Sequence, residues 1–138
     1  MSKLTTGPIQ HLVLTVSDLQ RSRTFYTEVL HFNVVAELPQ ANRVIMSNGT
    51  LILGIGLPPD PTQALADDRF SEHRLGLDHL SIAVENRAEM EKALALFDQH
   101  QVPHGEIKDL SPNGFERLVL AFRDPDNIQL ELTTAISA

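Results

Sequence analysis

Ile9-Gln10-His11-Leu12-Val13-Leu14-Thr15-Val16 and Leu77-Asp78-His79-Leu80-Ser81-Ile82-Ala83-Val84 match position for position, and this pair decides the fold. The second copy follows the first at an offset of 68 residues, histidine to histidine. Both copies alternate with period two. Leu12, Leu14 and Val16 share one strand face, as do Leu80, Ile82 and Val84, while each histidine falls on the opposite face of its strand.

Outward from each strand the pattern changes to a helical one. Leu19, Ser22, Phe25, Tyr26, Val29 and Leu30 recur at helical spacing in the first copy, and Met90, Ala93, Leu94 and Phe97 do so in the second. Ser17-Asp18 and Glu85-Asn86 supply N-cap candidates. Three short strands follow in each copy. In the first they run near Phe32 to Glu37, Arg43 to Ser47 and Thr50 to Ile55, with Asn48-Gly49 as a tight hairpin turn. In the second they run near His104 to Lys108, Glu116 to Arg123 and Ile128 to Thr133, the last two joined through Asp124-Pro125-Asp126-Asn127.

Each unit therefore reads as βαβββ. The fold class is α+β, with two βαβββ modules forming a curved, partly closed mixed sheet around a central cavity and helices outside. The expected organisation is a single domain over 1–138, with module 1 at about 8–56, a linker at about 57–75 and module 2 at about 76–134. The linker opens with Leu57-Pro58-Pro59-Asp60-Pro61, whose prolines reject a central strand. A short helix is expected around Gln63 to Asp67, and the segment suits a linker or a lid.

Composition narrows the chemistry. The chain has no cysteine, so disulfides, thiolate metal sites and a cysteine nucleophile are excluded. Eighteen acidic against eleven basic side chains give a net charge of −7 without a Lys/Arg cluster, which argues against a nucleic-acid partner. No stretch is long and apolar enough to be a signal peptide or to span a membrane, and a cytoplasmic location is expected.

In the last strand Ile128, Leu130 and Leu132 form the helix-packed face, so Gln129, Glu131 and Thr133 point the other way, onto the face that carries the histidines. Two neutral imidazoles and a carboxylate suit one divalent ion, Fe, Mn, Zn or Ni, and leave coordination positions open. The expected metal ligands are His11, His79 and Glu131. A lone strand histidine is more commonly a hydrogen-bonded structural residue; the repeat-equivalent positions of the pair shift the balance to ligation. Thr15 and Ser81 share strand faces with the histidines and are candidates for the pocket lining. Arg74, beside His73, is a candidate partner for a substrate carboxylate, and His104 and Arg123 are candidates for the cavity rim.

The segments His11-Leu12-Val13-Leu14-Thr15-Val16-Ser17-Asp18, Phe25-Tyr26-Thr27-Glu28-Val29-Leu30, Gly76 to Val84 and Phe122 to Leu132 resemble the vicinal oxygen chelate superfamily of glyoxalases, bleomycin-resistance proteins and extradiol dioxygenases. The resemblance spans nearly the whole chain and is specific for the scaffold rather than the reaction. It implies metal ligation by His11, His79 and Glu131, a small-molecule substrate and a homodimer. A fourth family ligand position falls on Leu53 when Asn48-Gly49 is superposed on Asp126-Asn127. Leucine binds no metal, and neither neighbouring register, Ile52 or Gly54, supplies a ligand. This departure counts against glyoxalase I and methylmalonyl-CoA epimerase. The general base is unassigned, Glu131 being the candidate that would serve as both ligand and catalytic residue. His31 replaces the glycine usual after the first helix. The other reading is a protein that sequesters a small molecule without turning it over, as bleomycin-binding relatives do; those usually lack the metal ligands that this chain retains.

Overall fold

The structure is a computed structural model that describes residues 1–137. It divides into two compact units, Met1–Leu65 and Ala66–Ala138. Each is a βαβββ module built on a four-stranded mixed sheet, so the α+β class holds.

In the first unit, β1 (Leu12–Thr15) leads into α1 (Leu19–Thr24), followed by β2 (Asn33–Leu38), β3 (Arg43–Ser47) and β4 (Ile52–Gly56). The sheet order is β1-β4-β3-β2, with β1 parallel to β4 and the other pairs antiparallel. The alternation read from sequence becomes the burial pattern. Leu14, Val16, Val44, Met46, Leu53 and Ile55 are buried with Phe25, Tyr26 and Val29, which follow α1. The carboxylate of Asp18 caps α1 by accepting from the Arg21 N–H at 3.0 Å.

The first helix does not continue as α. At Phe25–Val29 it widens into a π turn, which places Phe25, Tyr26 and Val29 together on the core. The chain then leaves through His31 at φ +60°, a left-handed position that glycine would adopt without strain. The Phe32 N–H donates to the Tyr26 carbonyl at 2.9 Å and closes this end.

The Asn48-Gly49 hairpin is wider than a two-residue turn. Ser47 pairs with Ile52, leaving four residues in the loop, and the Asn48 side chain accepts from the N–H groups of Thr50 and Leu51 at 3.0 and 2.8 Å. Gly49 takes φ +97° within it.

The second unit repeats the plan with β5 (Leu80–Ala83), α2 (Arg87–Gln99), β6 (Lys108–Asp109), β7 (Arg117–Arg123) and β8 (Gln129–Ala135), in the order β5-β8-β7-β6. Asn86 caps α2 through the Glu89 N–H at 3.1 Å. Met90, Ala93 and Phe97 are the buried stripe of α2, and Phe97 stacks on Phe122 of β7 with ring centroids 4.5 Å apart.

The strand expected from His104 to Lys108 is replaced by an isolated bridge at His104 opposite Phe122 and the two-residue β6. Pro103 has no N–H to add to a ladder, and the ring of His104 is taken up by Asp98 at 2.8 Å and the Gly105 carbonyl at 2.6 Å. The Asp98 bond is the main cause that raises the His104 pKa. In the first unit, Asp60 caps a short 3-10 turn at Pro61–Gln63, where the sequence suggested a helix slightly further on. Among the described residues, no helix is long and apolar enough to cross a membrane.

Candidate functional site

The open face of the second sheet carries a row of polar side chains. Leu130 and Leu132 of β8 are buried toward α2, so Gln129, Glu131 and Thr133 emerge on the other side, as alternation requires. β5 lies parallel to β8 with Ser81 opposite Glu131, and His79 immediately precedes β5. The outcome is that Nε2 of His79 lies 3.9 Å from Oε2 of Glu131.

Both side chains are oriented by neighbours. Nδ1 of His79 contacts Oδ1 of Asp78 at 2.6 Å, and because a carboxylate only accepts, Nδ1 is the donor in this bond and the neutral ring bonded this way has its lone pair on Nε2. Oε1 of Glu131 lies 3.3 Å from Oγ of Ser81 and 3.2 Å from Oγ1 of Thr133, and the two hydroxyls also bond each other. Two hydroxyl protons cannot fill three contacts, so one hydroxyl donates to the other, which in turn donates to Glu131. The carboxylate is thereby held by one oxygen while Oε2 faces the imidazole. Ser81, expected at the pocket lining, is thus a partner of Glu131.

His11 belongs to the other unit, one residue before β1, exposed and hydrogen-bonded to Gln10 through Nδ1. Thr15, at the end of β1, is exposed on the same strand face. Among the described residues, no three His, Asp or Glu side chains within either unit come together as a group able to hold an ion.

The strand register corrects the position matched to Glu131 in the first module. Leu12 pairs with Leu53 and Val13 with Gly54, whereas Leu80 pairs with Leu130 and Ser81 with Glu131. The counterpart of Glu131 is therefore Gly54, and Leu53 matches Leu130, both fully buried on the helix side. Leu53 is a core residue and not part of an open-face pocket. A Cβ on Gly54 would lie 3.1 Å from Val13 Cγ2 and 3.3 Å from Ile45 Cδ1, so this part of the first sheet is closed over by apolar side chains.

Arg74 makes an exposed ion pair with Asp68 at 2.9 Å, a local contact within the linker. Arg123 is a cation on the open face, opposite Gln129 in register. Its Nη1 and Nη2 bond Glu72 Oε2 and Oε1 at 3.0 and 2.9 Å, and it also donates to the Asn127 carbonyl at 3.2 Å and to Gln129 Oε1 at 3.3 Å. Phe70 reinforces this strap, exchanging hydrogen bonds with the Asp126 carbonyl and the Asn127 amide, both at 3.0 Å. A hollow of about 280 Å³ is lined by Arg123 and Gln129 together with His104 and Ala121.

The bidentate Arg123 bond holds the Glu72 carboxyl down at about 2. A depressed carboxyl stabilises the fold fully above its ordinary value of 4.5, and that contribution is lost as pH falls through the folded value. Stability from this pair should thus decline between about pH 4.5 and pH 2. In Arg123→Met, carboxyl NMR titration should show Glu72 back in the ordinary range; a Glu72 that stays depressed would refute the assigned cause.

Similarity to known proteins agrees with this architecture. Residues 8–132 match the sequence model of the Glyoxalase/Bleomycin resistance protein/Dioxygenase superfamily. The catechol-2,3-dioxygenase of Bacillus subtilis (strain 168) is 31% identical over 91 residues, 60% of this chain, and the match spans 28% of that protein's length. The glyoxylase/bleomycin resistance protein/dioxygenase domain from Frankia sp. EAN1pec superposes with a TM-score of 0.77 at 26% identity, covering 95% of this chain and 93% of that one. A mutant of the fosfomycin resistance protein FosX from Listeria monocytogenes, crystallised with Mn(II) and 1S,2S-dihydroxypropylphosphonic acid, has a TM-score of 0.71 at 16% identity. That likeness covers 93% of this chain and 90% of FosX, and is one of fold.

Proposed function

We propose, since the chain belongs to the glyoxalase/bleomycin resistance protein/dioxygenase superfamily, that it is a metal-dependent enzyme acting on a small molecule, with one divalent ion bound by His11, His79 and Glu131. The observation that carries this reading is the approach of His79 Nε2 to Glu131 Oε2 at 3.9 Å. Two ligand atoms each about 2.1 Å from one ion lie about 3.4 Å apart at the tetrahedral angle, so a closure of about half an ångström brings the pair onto one ion. The donor set of imidazole and carboxylate suits iron, manganese, zinc or nickel.

The third ligand is His11, contributed by the first module of the same chain or of a second copy, and a homodimer is part of the proposal. A bound ion supplies Lewis acidity toward substrate oxygens. The protein's own groups do the rest. Asp78 keeps His79 in the tautomer with a free Nε2, and Ser81 and Thr133 hold Glu131 by one oxygen. Glu131 is also the candidate proton acceptor. Gly54, matching Glu131 in the first module, adds no ligand, so three protein ligands leave the remaining coordination positions to water or substrate oxygens. The similarity to a catechol-2,3-dioxygenase makes catechol-type diols with oxygen the first substrates to try.

Elemental analysis of untagged protein, paired with its mass in solution, tests the reading. About one transition metal per chain is expected, and its identity selects the assay: iron leads to oxygen uptake with catechols, nickel or zinc to hemithioacetal and thioester chemistry, manganese to thiol transfer. Protein that takes up no metal after soaking and dialysis would replace the enzyme with a small-molecule-sequestering protein.

A further inference from the structure

A continuous hydrogen-bonded chain runs along the open face of the second sheet to His79. Glu72 grips Arg123 with both oxygens, Arg123 Nη2 donates to Gln129 Oε1 at 3.3 Å, and Gln129 Nε2 donates to Asp78 twice, at the backbone carbonyl and at Oδ1, both 3.1 Å. Asp78 Oδ1 then accepts from His79 Nδ1 at 2.6 Å. We propose that Asp78, Gln129, Arg123 and Glu72 are positioning residues that fix His79 as the Nδ1–H tautomer with Nε2 turned to Glu131.

The direction of every bond is forced by the groups at its ends. Arg123 can only donate, so the amide oxygen of Gln129 must face it, and the amide nitrogen must face Asp78. The carboxylate of Asp78 can only accept, so the imidazole must bring its proton to Nδ1. An exposed carboxylate beside its sequence neighbour would otherwise sample many rotamers. Gln129 removes that freedom by holding both the main chain and the side chain of Asp78 from a strand 51 residues away. The planar fork of Arg123 grips both oxygens of Glu72 with two nitrogens while one of them also donates to Gln129, a fixed geometry that the single ammonium of a lysine does not reproduce. Carboxylate partners that set the tautomer of ligating histidines raise metal affinity, and their loss typically costs about 10–100-fold.

The ligand role of His79 rests on the proposed function; its tautomer in the metal-free protein does not. The test is therefore long-range proton–nitrogen NMR of His79 in metal-free protein, at about pH 8.5, above the range where histidines ordinarily carry a second proton. Wild type is expected to show Nδ1–H. Gln129→Leu should move the ring toward Nε2–H, and Gln129→Glu should do the same, since it keeps the shape and the Arg123 bond but cannot donate to Asp78. A merely structural Gln129 would tolerate Glu without any tautomer change. Zinc titration of the same proteins should show a loss of about 10–100-fold in both variants. If the Gln129 variants do not fold by circular dichroism, Arg123→Lys is expected to shift the tautomer in the same direction. A wild-type ring protonated at Nε2, or a tautomer unmoved in the folded variants, would overturn the inference. Wild-type protein that binds no zinc yet keeps Nδ1–H would overturn the metal reading and leave the relay standing.

Discussion

Glu131→Ala is expected to lower affinity for a divalent transition metal by more than about a hundredfold, beyond what losing an outer partner costs. Removing the carboxylate leaves the second unit with the imidazole of His79 alone where two donors now lie 3.9 Å apart. Folding should survive the change. Ser81 and Thr133 lose an acceptor but still reach each other, and a net hydrogen bond at a partly exposed site contributes only about 1 kcal/mol. Elemental analysis and a urea melt, run side by side, check both halves. Metal content equal to wild type would sink the assignment of Glu131, and loss of folding would move it from the site to the scaffold.

Phe122→Ala should carry the larger stability effect, about 3–5 kcal/mol. Its ring is 2% exposed and stacks on Phe97, which ties β7 to α2. A cavity there cannot be filled by small shifts, because Leu120 and Leu130 beside it are already fully buried. Domain stabilities of about 5–15 kcal/mol leave little margin for such a loss. Urea denaturation followed by circular dichroism measures it, with Phe122→Leu as the milder control that keeps most of the volume. A cost below about 1 kcal/mol for alanine would show that the core of this unit does not centre on the Phe97–Phe122 pair. The site is coupled to this core through register, since Phe122 pairs with Leu130 and Ala121 with Glu131. A loosened β7 should thus also weaken metal uptake.

Most of the strands, the two helix starts and the shared face of His79 and Glu131 were legible because each rests on a short-range rule. Period-two alternation places Leu130 and Leu132 inward and Glu131 outward whatever the rest of the chain does. The repeat then puts His79 on the same face one strand away. Helix starts were equally local, since Asp18 and Asn86 cap through the third residue beyond them.

What failed was whatever depended on loop length or on distant partners. Superposing one hairpin turn on the other put Leu53 opposite Glu131 in the repeat, but the β3–β4 loop holds four residues and the β7–β8 loop five. Asn48 is the first residue of its loop and Asp126 the third of its own, so the two turns do not superpose; the strand register puts the match at Gly54 and Leu53 in the core. Arg74 and Arg123 look alike as charges in sequence. Only the fold gives the first a neighbour in its own loop, Asp68, and the second a carboxylate 51 residues away, Glu72.

The sequence by itself thus determined the two modules, their faces and the shared face of His79 and Glu131, since period and capping act within a few residues. The tertiary structure decided register, the choice of Arg123 over Arg74 and the chain of bonds behind His79, because those require groups far apart in sequence to meet within hydrogen-bonding distance.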